Sequence, residues 1–246
     1  MSDQEKVNID TISTENLENK KPSAIVSALE DPEILQDKLE NSLDFVNKNR
    51  NLFTYVVLGI ALLVGGYFGY QWYQTDQNNE AQKEMFQAVL YFEADSLNKA
   101  LNGDAGKPGL KRIAEDYAGT KAGNLANFYV GVIYLKQGKF DEAITHLSSF
   151  SSTDLLVQAR AYSLLGDAYA EKNNLDEAVN YYRKAAEYKP NKNFTPIYLK
   201  KLAGALVDKK DTKGALEAYD KIISEYPLSQ EYNDALKMKA FYEGAK

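Results

Sequence analysis

The sequence predicts an all-α chain, with one membrane-crossing helix followed by a solenoid of paired helices. Two observations carry this reading. Residues 51–75 hold no charged side chain, and Leu52–Tyr70 within them is almost wholly apolar. A helix of about 20 such residues matches a bilayer core of ~30 Å. Further on, Ala143, Ala178 and Ala215 recur 35 and 37 residues apart, each eleven or twelve residues after a glycine. Internal periods of that size mark stacked helical units.

Residues 1–30 are rich in Asp, Glu, Asn, Ser and Lys and poor in large apolar residues, which reads as a disordered acidic tail. Residues 31–50 read as an amphipathic helix beside the membrane segment. Asp31 suits the cap, Pro32 the first helical position and Glu33 the positive helix end. Leu35, Leu39, Leu43 and Val46 then recur at helical spacing, on a helix that lies either on the membrane surface or on a partner.

Residues 51–75 form the expected transmembrane helix. The first 25 residues lack an apolar stretch, so the expectation is an uncleaved signal-anchor. Lys38, Lys48 and Arg50 flank it on one side and only Lys83 on the other. By the positive-inside rule the N-terminus is cytoplasmic and the C-terminal domain exported, into the periplasm of a diderm bacterium. Tyr70, Trp72 and Tyr73 mark the outer interface and Tyr55 the inner one. Ala61, Gly65 and Gly69 fall four residues apart, a spacing that lets two membrane helices approach, although glycine is also common in such helices.

Residues 76–103 read as a connecting helix, because Pro and Gly are absent between Gln71 and Asn102. Ala81, Met85, Ala88, Val89 and Phe92 share one face, and Asn78-Asn79 is the expected break from the membrane helix. A loop over 103–108 and a helix over 108–117 follow.

Residues 104–246 carry the repeats. Gly131, Tyr134, Ala143 and Leu147 open the series. Gly166, Tyr169, Ala178, Tyr182, Ala185 and Pro190 form the fullest copy, and Gly204, Val207, Ala215, Tyr219, Ile222 and Pro227 the third. Small residues at 166 and 178 let two helices cross closely, tyrosines fill the space between units, and Pro190 stops a helix. Gly138, Asn173-Asn174 and 208–211 separate paired helices, Thr195-Pro196 reads as a cap and first turn, and 229–243 closes the stack. The pattern resembles the tetratricopeptide repeat, a 34-residue helix–turn–helix unit. The expected architecture is therefore a transmembrane helix and a tetratricopeptide-repeat solenoid, with about three repeats, a partial N-terminal unit and a C-terminal capping helix.

Composition excludes several functions. Residues 76–246 hold 23 Lys/Arg against 24 Asp/Glu, so no basic field draws in nucleic acid. Cysteine is absent, and with it thiolate catalysis and iron–sulfur clusters. One histidine, His146, cannot build the usual zinc site. No phosphate-binding loop is present, since Gly103-Asp-Ala-Gly-Lys is too short. The expectation is a chain with no catalytic residues, no metal and no cofactor.

The repeat resemblance implies a concave groove lined by first helices. It maps onto Leu125, Phe128, Val132 and Leu135, then Arg160, Ser163, Asp167 and Ala170, then Tyr198, Lys201, Ala205 and Asp208. The apolar first four either hold a hydrophobic segment or pack on the preceding helices. Repeats that clamp a chaperone's terminal carboxylate use Lys and Asn where this chain has Phe128, Val132, Ser163 and Asp167, which argues against such a clamp. The whole plan resembles the YfgM-like ancillary subunits of the SecYEG translocon, over roughly residues 45–240. The resemblance rests on the single anchor, on Gly119-Thr-Lys-Ala-Gly-Asn-Leu-Ala126 and on Gly166-Asp-Ala-Tyr169. It implies a scaffold beside SecYEG that pairs with a membrane-anchored periplasmic chaperone of the prolyl-isomerase type and hands on emerging, unfolded protein clients. Two other readings keep the fold: an envelope-stress regulator acting through its tail, and an import receptor with cytosolic repeats.

Overall fold

The computed structural model describes residues 32–244, with Pro32 and Ile34 described by backbone alone. The tail over 1–30 and the Asp31 cap lie outside the described residues. The chain falls into two compact units, one up to Phe68 and one from Gly69 onward.

In the first unit, α1 spans Pro32–Lys48, with Leu39, Leu43, Phe45 and Val46 exposed. Only Asn49 separates it from α2, Arg50–Glu93, and its N–H still donates to the Phe45 carbonyl at 3.1 Å. α2 is 44 residues long and is the one helix among the described residues long and apolar enough to cross a membrane. None of its most apolar window is buried.

The expected break at Asn78-Asn79 does not occur, and α2 runs unbroken to Glu93. No Pro or Gly interrupts it there, and Asn78 Oδ1 accepts the Ala122 N–H at 2.9 Å, so that residue joins two helices. The helix ends instead where Asp95 turns left-handed (φ 54°) and the Ser96 N–H reaches back to the Tyr91 carbonyl.

In the second unit, α3 (Leu97–Asn102) leads into two short antiparallel strands, β1 (Gly103–Asp104) and β2 (Lys107–Pro108), where a plain loop was expected. Ala105 and Gly106, both at positive φ, make the tight turn between them. α4 (Leu110–Asp116) follows, two residues shorter at its start than the sequence suggests. Ala81, Met85 and Ala88 of α2 pack with Leu110, Ile113, Ala126, Val130 and Ile133, so α2 and α4 complete the partial unit ahead of the repeats.

Three helix pairs come next: α5 (Lys121–Lys136) with α6 (Phe140–Ser149), α7 (Leu155–Glu171) with α8 (Leu175–Glu187), and α9 (Thr195–Asp208) with α10 (Thr212–Glu225). α11 (Tyr232–Gly244) closes the series. Side-chain caps start most of these helices. Thr120 accepts from Gly123, Asp154 from Leu156 and Val157, Asn174 from Glu177 and Asp211 from Gly214. Thr195 does not cap α9 as expected. It is the first helical residue, and its hydroxyl accepts the Asn191 N–H at 2.8 Å.

The small residues do what their positions demand in two pairs. A Cβ on Gly131 would meet Leu147 Cγ at 2.5 Å, and one on Gly166 would meet the Tyr182 ring at 2.6 Å. The third pair corrects the register. A Cβ on Gly204 would have nothing within 4 Å, whereas Ala203 is fully buried. Ala203 precedes Ala215 by the same twelve residues that separate Gly166 from Ala178. Leu199, Leu202, Ala203 and Leu206 are all buried while Val207 is only half-buried, so Leu206, not Val207, takes the place of Tyr169.

Candidate functional site

The register correction moves the groove. Tyr198 and Ala205, expected to line it, are buried in the core. The positions matching Arg160, Ser163, Asp167 and Ala170 become Ile197, Lys200, Gly204 and Val207, one residue earlier than the sequence places them. Ile197 and Lys200 are exposed, and Gly204 and Val207 half-buried. Sequence reasoning missed these four because glycine at 204 attracts the alignment. The signal that finds them is the spacing to Ala215.

The apolar first set is used within the chain. Phe128 and Val132 are buried with Leu147, Phe150, Ala161 and Leu165. Phe128 meets Phe150 at 5.2 Å between ring centroids, and Phe92 of α2 meets Tyr129 edge-on at 5.1 Å. Leu125 and Leu135 are half-buried against the same packing.

Asp167 and Lys201 are brought together. Lys201 Nζ donates to both Asp167 oxygens at 2.7 Å, and the Tyr182 hydroxyl donates to Asp167 Oδ1 at 2.7 Å. This three-way junction ties α7, α8 and α9. Burial, with the Asp167 charge beside it, holds the Tyr182 hydroxyl far above its ordinary range, so it stays a donor. Two charges proposed as peptide ligands thus satisfy each other, and Lys200 pairs with Asp234 of α11. Arg160 stays exposed, while Ser163 is buried.

Beside the groove lies a cleft the sequence did not reveal. Phe150, Gln158, Tyr162, Tyr181, Lys184 and Tyr188 line a space of about 310 Å³ between α6, α7 and α8. Tyr181 stacks on Tyr169 at 5.4 Å, and Lys184 sits 4.7 Å from the Tyr181 ring centre. Rings walling a cleft that ends in a cation suit an aromatic or proline side chain.

Ala61, Gly65 and Gly69 are exposed along α2, and nothing lies within 4 Å of a Cβ placed on either glycine. His146 has a structural place. Its Nδ1 lies 2.8 Å from Asn127 Oδ1, and its ring is 5.6 Å from that of Tyr134. Burial and then Lys111 push its pKa down, against a smaller opposite pull from Glu115. No group of three or more His, Cys, Asp or Glu among the described residues is placed to hold a metal.

Paired helices stacked on small-residue contacts define a repeat scaffold for protein–protein contact. Residues 44–240 match the tetratricopeptide repeat-like domain, and the chain belongs to that family. The comparison with curated proteins finds no match.

Proposed function

We propose that this chain is a non-enzymatic, membrane-anchored scaffold that binds protein segments beside the SecYEG translocon. α2 is the observation that carries the reading. Its first half is apolar and exposed, and its second half supplies Ala81, Met85 and Ala88 to the core of the repeat unit. The same helix thus supplies the candidate bilayer anchor and part of the repeat core. The family match begins at residue 44, so it takes in the apolar segment as well as the repeats. The Lys/Arg bias favours a cytoplasmic N-terminus and a periplasmic repeat domain. The resemblance to YfgM-like subunits then suggests the partners: SecYEG, an anchored prolyl-isomerase-type chaperone and emerging clients.

In this reading the exposed ligands are Arg160 and the tyrosine cleft, rather than the self-paired Asp167 and Lys201. Affinity purification of the full chain from gently solubilised membranes tests it. SecYEG and an anchored chaperone are expected in the eluate. If both are absent, the translocon assignment fails, although the repeat fold stands.

A further inference from the structure

The second unit has two edges of different chemistry. α5, α7, α9 and α11 all begin on one of them, because each helix pair returns the chain to its starting side. Hydrogen bonds tie the connections on that edge into a row. Asn78 joins Ala122, Asn124 joins Ser151 at 2.8 and 3.1 Å, and Lys189 donates to the Thr153 carbonyl at 2.7 Å.

Leu155, Leu156, Phe194, Ile197 and Leu228 all sit on this row. Leu228 is 99% exposed and the other four between 37% and 44%. The turns on the opposite edge, 137–139, 172–174 and 209–211, contain only Gln, Gly, Lys, Asn and Asp. A single exposed leucine is ordinary. Five large apolar side chains on one edge, against none in the facing turns, mark a surface that water does not explain.

α2 enters the unit at this same edge. Gln74 lies against Gly119, and Asn78 holds Ala122. Tyr70, Trp72 and Tyr73 are exposed just before that contact. From Tyr73 to Asn78 an α-helix rises about 8 Å. The headgroup layer of one leaflet is about 5–8 Å thick. Tyr70, Trp72 and Tyr73 belong to the same unit as the apolar edge, so a bilayer interface at these residues lies within about one headgroup thickness of the point where α2 meets that edge.

We propose that this edge is a lipid-contacting surface: Leu155, Leu156, Phe194, Ile197 and Leu228 enter the outer headgroup layer of the bilayer that α2 crosses. The side chains have the required chemistry, since short apolar insertions of about 5–10 Å bind interfaces. Lys192 is exposed among them and can reach lipid phosphates. The acidic Asp154 is occupied, its carboxylate accepting the Leu156 and Val157 N–H groups. The inference rests on the anchor reading.

The test uses the full chain in liposomes of phosphatidylethanolamine and phosphatidylglycerol. The native sequence has no cysteine, so Leu156→Cys, Phe194→Cys and Leu228→Cys place a polarity-sensitive dye on the edge, and Glu171→Cys and Lys213→Cys place it on the opposite one. The edge dyes are expected to shift to the blue and to be quenched several-fold more by lipids carrying a headgroup nitroxide. Trp72, the single tryptophan, reports the anchor independently through quenching by brominated lipids. Quenched Trp72 with edge dyes matching the opposite-edge dyes overturns this inference and spares the anchor. Unquenched Trp72 overturns both. Far-UV circular dichroism of each variant checks that the fold is kept.

Discussion

Replacing Gly166 by alanine puts a methyl group where three carbons of the Tyr182 ring would lie 2.6, 2.6 and 3.0 Å away. Comfortable carbon contacts are ~3.5–4.0 Å, so the ring must move by roughly 1 Å. It cannot move freely, because its hydroxyl donates to Asp167 at 2.7 Å and Asp167 is clamped by Lys201. Overpacking of this kind costs about 1–3 kcal/mol. Disturbing a hydrogen bond to a charged acceptor costs about 1.5–3 kcal/mol more. Against this, alanine gains ~1 kcal/mol over glycine in a helix interior. The net loss is about 2–4 kcal/mol, or a fall in Tm of roughly 4–16 °C for a domain of this size.

Gly204→Ala is the internal control. There the new methyl meets nothing within 4 Å and the backbone is ordinary helix. Only the propensity gain remains, about 0.5–1 kcal/mol. Thermal unfolding of the full chain in mild detergent, followed by circular dichroism at 222 nm, compares the two variants. Opposite signs are expected. If Gly204→Ala destabilises as much as Gly166→Ala, Gly204 is the close-contact position after all and the Ala203 register is wrong.

Three more predictions concern the joints between helices. Asp167→Ala leaves the buried Tyr182 hydroxyl without its acceptor and should lower stability by about 1–3 kcal/mol, while Lys201→Ala, on a half-exposed pair, should cost about 0–1 kcal/mol; urea midpoints separate them. The lowered pKa of His146 means that the unfolded chain takes up its proton first as pH falls. This contribution to stability is therefore full above the ordinary histidine value of ~6.5 and is lost as pH drops through the folded value. Urea midpoints measured from about pH 8 to about pH 5 should decline in the wild type, and His146→Gln should flatten that part of the slope. Asn78→Ala removes the acceptor for the Ala122 N–H, which should cost about 0.5–2 kcal/mol and speed hydrogen exchange at the start of α5.

Much of this protein is legible in the sequence because the signals are local. The charge-free run at 51–75 needs only its length and composition to mark a helix suited to a bilayer. Gly138, Asn173-Asn174 and the stretch around 208–211 separate paired helices because turn-forming residues interrupt a helix wherever they stand. The small residues at 131, 143, 166 and 178 announce close helix crossings at a repeating interval, and those crossings are present. The fold class follows from such features without knowledge of any contact.

Only the tertiary structure decided the rest, because it turns on which way a helix faces and what lies opposite. Ala203 and Gly204 are adjacent and both small, and only packing against α10 shows that Ala203 takes the buried place. Asn78-Asn79 looks like a break until Ala122 supplies a donor for it. Asp167 and Lys201 look like ligands until the stacking of α7 on α9 makes them partners. Phe128 and Val132 read either as groove or as packing on the preceding helices, and the structure buries them against Phe150 and Leu165 of the helices that follow. Each of these residues has a choice of neighbours that a linear chain does not state, and packing makes the choice.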